Sequence, residues 1–169
     1  MSDSPADFPP SGCGACGAFG ASSQCAGCKA VRYCNGECQT AAWSAGHKKE
    51  CSRLKKAGAN GMYVKTLKEA PEGAESPAPG TKVLVHYTGT LANGSKFDSS
   101  RDRGTPFSFA VGMGRVIRGW DEGVAAMKYG QRAMFYLSPE YGYGDQGAGG
   151  AIPGNSFLIF DVELIEEDK

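Results

Sequence analysis

The residues able to do chemistry form two groups, and the first is a block of thiols. All seven cysteines lie between Cys13 and Cys51, together with His47. Cys13/Cys16 and Cys25/Cys28 are CxxC pairs, whose thiolates can converge on one metal from a tight turn. Cys34/Cys38 and His47/Cys51 are four apart, so each pair would project from one face of a helical turn. Zinc takes four sulfur or nitrogen ligands in a tetrahedron. The eight side chains make two closed structural sites, use every cysteine and leave no open position for catalysis. Rival chemistries fit less well. Seven cysteines and no export signal disfavour a disulfide framework. A thioredoxin-like CxxC needs a βαβ context that is missing. Plain buried cysteines need a core, yet only four of the 27 Leu, Ile, Val and Phe residues lie in 1–56. Spacing alone leaves open which pairs share a metal.

The second group is aromatic. Tyr87, Phe97, Phe107, Phe109, Trp120, Tyr141, Tyr143 and Phe160 could converge around one helix. Such a set is ordinarily core. A core does not explain Asp98 directly after Phe97, the Tyr-Gly-Tyr-Gly loop at 141–144, or Trp120 on an otherwise aliphatic helix face.

Charge limits the partners. Lys+Arg and Asp+Glu are 18 each. Residues 1–56 carry seven basic and four acidic groups, +3, and the two zinc–ligand sets carry about −2 and −1, so the metallated segment is near neutral. DNA affinity rests on neutralising phosphates, so nucleic acid is not an expected partner. No apolar run approaches the ~18 residues of a membrane span, and the first ten residues lack a secretory pattern. A cytoplasmic and/or nuclear protein is expected.

These groups need elements to hold them. Residues 1–12 read as a disordered tail, 13–51 as the metal module, 52–60 as a short basic linker with a helical turn running on from Lys48, and 61–169 as a domain rich enough to fold alone. Strands are predicted at 62–68, 82–91, 96–99, 106–111, 132–137 and 156–165. The spacing of Val116, Ile117, Trp120, Val124 and Met127 predicts one short amphipathic helix. The class is α+β, a mainly antiparallel sheet covering that helix.

Residues 13–51 resemble the MYND zinc-finger family. The resemblance rests on the four ligand pairs, Tyr33 before Cys34, Gln39 after Cys38, and Trp43. One residue more than is common separates Trp43 from His47. The resemblance implies interleaved sites, Cys13, Cys16, Cys34 and Cys38 on one zinc and Cys25, Cys28, His47 and Cys51 on the other. It also implies docking of proline-containing peptides along Gln39 and Trp43. The plainer roles are that Trp43 packs on the zinc frame and Gln39 caps a helix.

From Val64 to Glu163 the chain resembles the FKBP-type prolyl isomerases. The motifs are Val85-His86-Tyr87-Thr88-Gly89, Lys96 to Arg103, Pro106-Phe107-Ser108-Phe109, Val116-Ile117-Arg118-Gly119-Trp120, Pro139 to Gly144, Ile152-Pro153 and Leu158 to Leu164. The resemblance implies a five-stranded half-barrel wrapped on a short helix, and isomerisation of the peptide bond before proline with no cofactor. It implies Trp120 as the pocket floor, and Tyr87, Phe97, Phe107, Val116, Ile117, Ile152 and Phe160 as walls. Asp98 stands beside the twisting amide, partnered by Tyr87 and Arg103. Tyr143 and the Ile117 N–H donate to substrate carbonyls. The alternative for Asp98 is a salt bridge that only fixes its loop, and His86 reads as structural. The loop 145–151 departs from the family in its Gly and Ala content, which predicts weaker binding of macrolides such as rapamycin. The expected protein is a monomeric prolyl isomerase addressed to proline-containing partners by a zinc module. The alternative is a non-catalytic proline-binding adaptor or chaperone with a nuclear regulatory role.

Overall fold

The computed structural model describes residues 15, 23–33, 35–58 and 61–168. The tail 1–12 and three expected zinc ligands, Cys13, Cys16 and Cys34, lie outside the described residues.

The metal module opens with two short antiparallel strands, β1 (Ser23–Gln24) and β2 (Arg32–Tyr33). Their reverse turn is closed by Cys25 N–H to Val31 O at 2.9 Å and Lys29 N–H to Cys25 O at 2.9 Å. Helix α1 (Gly36–Ala42) starts at Asn35, whose side chain accepts from Cys38 N–H at 3.0 Å. That satisfies one of the donors a helix start leaves unpaired. A π-type turn, Trp43–His47, then leads into α2 (Lys48–Ala57). The helical path is broken within this segment, which separates α1 from α2. It kinks at Gly46, whose φ of 132° is costly for any residue with a Cβ.

The remainder is β3 (Met62–Lys68), β4 (Lys82–Leu91), β5 (Lys96–Ser99), α3 (Ser100–Arg103), β6 (Phe107–Ala110), α4 (Arg118–Ala125), β7 (Arg132–Leu137) and β8 (Leu158–Glu167). All pairings are antiparallel, in the order β3-β7-β8-β4-β5, with β6 also on β4. Because β8 occupies one side of β4, β5 and β6 share the other, and the six segments make five strand positions. Among the described residues no helix is long and apolar enough to cross a membrane.

The alternation of side chains along a strand gives this sheet two buried faces. On the inner face Val83, Val85 and Tyr87 of β4, Phe135 and Leu137 of β7, and Leu158, Phe160, Val162 and Leu164 of β8 pack with Trp120 and Val124 of α4. Helix α4 comes close because it presents two glycines one turn apart. A Cβ on Gly119 would lie 2.5 Å from Leu137 Cδ2, and one on Gly123 2.7 Å from Phe135 Cε2.

The outer face is covered by the metal module. Tyr63, Met134, Tyr136 and Ile159 join Leu54, Ala57, Val31 and Tyr33 in a second apolar cluster. Leu54 is fully buried there. Arg53 Nη1 donates to the Tyr136 hydroxyl at 3.1 Å and to Glu50 Oε1 at 2.6 Å, and Lys56 Nζ lies 4.9 Å from the centroid of the Tyr63 ring. Burial, then the Glu50 charge, pushes the Tyr136 phenol up to about 12, so it stays a protonated partner. Residues 52–57, expected as linker, are therefore the second half of α2, ordered by packing on the sheet.

Candidate functional site

Two chemical sites are built on this frame, one on each side of the sheet. In the metal module, the β1–β2 turn supplies Cys25 and Cys28, the π-turn supplies His47, and α2 supplies Cys51 one helical turn on. Their four donor atoms lie within 4.8 Å of one another, and all four residues are buried. Zinc bonds of about 2.3 Å to sulfur and about 2.0–2.1 Å to nitrogen, at tetrahedral angles, require S–S edges of about 3.8 Å and S–N edges of about 3.6 Å. The observed edges are 3.8 Å for Cys25–Cys51, 3.6 Å for Cys28–His47 and 3.4 Å for Cys25–His47. Burial foremost, with Cys25 and Cys51 nearby, pushes the Cys28 thiol up to about 12. A cation is what such a set needs to hold thiolates. This set fits zinc, and it is the set expected for one of the two ions. Of the other set, only Cys38 falls within the described residues, half-buried on α1. Trp43 is 42% exposed and meets the His47 ring edge-on, with centroids 6.0 Å apart, while Gln39 sits half-buried on α1.

On the inner side a cleft of about 450 Å³ opens between α4 and the sheet. Trp120, 4% exposed, forms its base. Tyr87 meets Trp120 edge-on at 4.8 Å between centroids, Phe160 at 5.3 Å and Phe107 at 5.9 Å. Phe97 stands perpendicular to Phe160 at 5.5 Å. Val116, Ile117, Asp98 and Tyr143 complete the expected lining. The Ile117 N–H and the Tyr143 hydroxyl make no hydrogen bond among the described residues, so both are available to a ligand.

Asp98 is held from three sides. It accepts from the Tyr87 hydroxyl, from Arg103 Nη1 and, at 2.8 Å, from Ser99 N–H, while Arg103 Nη2 donates to the Tyr87 hydroxyl at 3.1 Å. Burial opposes its charge, but the hydrogen bonds from Tyr87 and Arg103 and the Arg103 charge outweigh it and hold the carboxyl below its ordinary range. Burial, then hydrogen bonding to Asp98, raises Tyr87, and burial, then the Asp98 charge, raises Tyr143, so both phenols keep their protons.

Two expected residues lie off the wall. Arg103 acts from behind through Asp98, and Ile152 is buried in the inner core. His86 Nδ1 lies 2.9 Å from Ser100 Oγ, and the same oxygen accepts from Tyr87 N–H at 2.8 Å, so His86 buttresses β4 from outside the cleft. Ala148 and Ala151 are absent from the lining, and the 145–155 loop is closed by Ala148 and Ile152 exchanging hydrogen bonds of 2.9 and 3.1 Å. Sequence reasoning missed Gly114 and Arg115, which do line the cleft. It also missed Asp121, whose carboxylate takes the N–H groups of Gly112 at 2.7 Å and Gly114 at 2.9 Å and fixes the loop leading to Ile117. Asp121 lies seven to nine residues from its partners, a pairing without a sequence signal.

Comparison with known proteins agrees with this division. Residues 13–51 match the MYND finger family and residues 73–165 the family described as FKBP-type peptidyl-prolyl cis-trans isomerase. The chain is 58% identical over 106 residues to the peptidyl-prolyl cis-trans isomerase Fkbp12 of Drosophila melanogaster, covering 62% of this chain and 98% of that protein. It is 56% identical over 93 residues to a peptidyl-prolyl cis-trans isomerase of Schizosaccharomyces pombe, 55% of this chain and 83% of that one. With FK506-binding protein 1 of Dictyostelium discoideum it shares 52% over 105 residues, 62% and 96% of the two chains.

Proposed function

We infer the function from one premise: the chain belongs to the FKBP-type peptidyl-prolyl cis-trans isomerase family. It is an enzyme that interconverts the cis and trans forms of the peptide bond before proline, with a MYND finger ahead of the catalytic domain. The barrier of ~18–20 kcal/mol comes from partial C–N double-bond character, which is lost in the twisted amide. The planar amide is the more dipolar form, so an apolar cavity favours the twisted one. No nucleophile is needed.

The cleft residues take these roles. The proline ring rests on Trp120 between Tyr87, Phe107 and Phe160. The Ile117 N–H and the Tyr143 hydroxyl hold the flanking carbonyls and fix the chain on both sides of the twisting bond. Asp98, fixed by Tyr87 and Arg103, stands beside the amide as a charge that needs no reorganisation. The observation that carries this reading is the aromatic cleft with two unpartnered donors and one fully partnered carboxylate. Zinc on Cys25, Cys28, His47 and Cys51 supplies folding free energy to the finger. A second zinc on Cys13, Cys16, Cys34 and Cys38 completes it, and the finger addresses the enzyme to proline-containing partners through Gln39 and Trp43. The protein works as a monomer in the cytoplasm or nucleus, and its cleft accepts macrolides.

NMR exchange spectroscopy of a Leu-Pro peptide, with the full zinc-loaded chain added, tests the catalytic roles. Uncatalysed exchange takes tens to hundreds of seconds. Acceleration is expected, reduced strongly in the Asp98→Ala, Tyr143→Phe double variant. A folded chain that leaves exchange unchanged would replace the enzyme with the adaptor reading. Acceleration unaffected by the double variant would remove both residues from the mechanism.

A further inference from the structure

The cleft has a charge that catalysis does not use. Among the described residues two charged side chains line it, Asp98 and Arg115. Asp98 is paired with Arg103, so its charge is balanced inside the protein. Arg115 is exposed and has no ion pair or hydrogen bond among the described residues. Its neighbour Arg118 is committed otherwise. It pairs with Glu122 at 2.8 Å and Glu140 at 3.9 Å and lies 4.3 Å from the centroid of Tyr141. With Arg103 counted, the charges lining the cleft leave Arg115 as the one without an ion partner, while the nearby Asp121 carboxylate is engaged by the Gly112 and Gly114 N–H groups.

The backbone leading to that charge is fixed. Asp121 anchors the backbone of Gly112 and Gly114, immediately before Arg115. Ile117, whose free N–H faces the ligand in the proposed mechanism, follows two residues later. Two residues span at most about 7 Å of chain, so the guanidinium sweeps the positions within one or two residues of the bound proline. A solvated cation there attracts anionic side chains and repels cationic ones.

We propose that Arg115 is a specificity-determining residue, selecting substrates with an acidic group within two residues of the isomerised proline. This rests on the isomerase reading and adds a substrate class to it. The shared chemistry is an anion, supplied by Asp or Glu or by a phosphorylated Ser or Thr.

The test measures kcat/KM on peptides centred on Leu-Pro, with Ala, Glu, phosphoserine or Lys placed in turn at each of the two positions on either side. The Ala peptide reports the isomerase itself, so its failure to be accelerated marks failure of the underlying reading. At one position or more, Glu is expected to exceed Lys by about threefold at low salt, the scale of an exposed ion pair. The ratio should shrink as salt shortens the Debye length. Arg115→Glu should invert it, and Arg115→Gln should bring it near one. A phosphoserine peptide preferred well beyond Glu identifies phosphorylated substrates as the source of the anion, and Glu equal to phosphoserine identifies carboxylates. A Glu/Lys ratio that stays the same in the wild type and Arg115→Glu at every position, with the Ala peptide turned over normally, overturns the proposal.

Discussion

Leu54 lies just past the finger in a segment that reads as linker, yet its side chain is buried in the cluster that joins finger residues to Tyr136 and Ile159 of the isomerase sheet. Replacing it with Ala removes a fully buried side chain from both modules at once. Buried Leu→Ala changes cost about 2–5 kcal/mol, the transfer of the lost carbons plus the cavity they leave. Helix propensity slightly favours Ala, which places the expectation at about 3 kcal/mol. With a urea dependence of about 2 kcal/mol per M, the midpoint should fall by about 1.5 M. The two tryptophans separate the modules, since Trp43 stands on the finger and Trp120 in the isomerase core. In a Trp43→Phe background, the fluorescence of Trp120 reports the isomerase alone. If the finger is part of the sheet's support, Leu54→Ala shifts the Trp120 transition. A finger transition that moves while Trp120 stays within about 0.2 M, an order below the shift derived from the measured costs, refutes the coupling.

Three further outcomes are expected. Chelation of zinc should unfold the finger and lower the Trp120 midpoint in the same direction as Leu54→Ala, read by urea titration with and without chelator. Gly123→Ala should lower stability by about 1–3 kcal/mol, the cost of overpacking, because its Cβ would meet Phe135 at 2.7 Å; a thermal melt with no loss would show that α4 can lift away freely. The Asp98 carboxyl is held below its ordinary range, so the folded state gains from it above the unfolded pKa of about 3.9, and the gain is lost as pH falls through the lower folded value. Its carboxyl carbon shift should therefore be flat from about pH 7 to about pH 5, and a midpoint above the ordinary carboxylate value would contradict the Tyr87–Arg103 clamp.

Much of the frame was legible because its signals are local. Val83, Val85 and Tyr87 alternate with period two, and β4 runs 82–91 as read. The His47/Cys51 spacing needs only one helical turn, and it is met at the start of α2. Asp98 stood out because a charged residue directly follows Phe97, a member of the aromatic set. What stayed hidden depends on partners distant in sequence. Tyr136 and Ile159 fall on the outward phase of their strands, and nothing local says that a finger helix more than 80 residues away covers them, as the 83-residue separation of Arg53 and Tyr136 shows. For the same reason 52–57 read as linker, since its one large apolar residue, Leu54, looks isolated until the sheet is beneath it. The kink at Gly46 was missed because Trp43-x3-His47 displays an extra residue but not where the chain breaks its helical path. Arg115 was passed over because an exposed arginine carries no pattern, and it stands out only once Asp98 and Arg118 are seen to be committed to other partners.

The two buried faces of one sheet also set a ruler. The finger is seated on the outer face, and the cleft opens on the inner one. One path between them across the strands runs around the edge at β5. Crossing two strand spacings of about 4.8 Å outside, about 10 Å around the edge and a similar stretch inside amounts to about 25–30 Å. At about 3.3 Å per extended residue that is eight or nine residues. Along that path a shorter peptide reaches one module or the other. On the docking role proposed for Gln39 and Trp43, a partner held by the finger and turned over in the cleft together needs two proline-containing segments separated by at least that much chain.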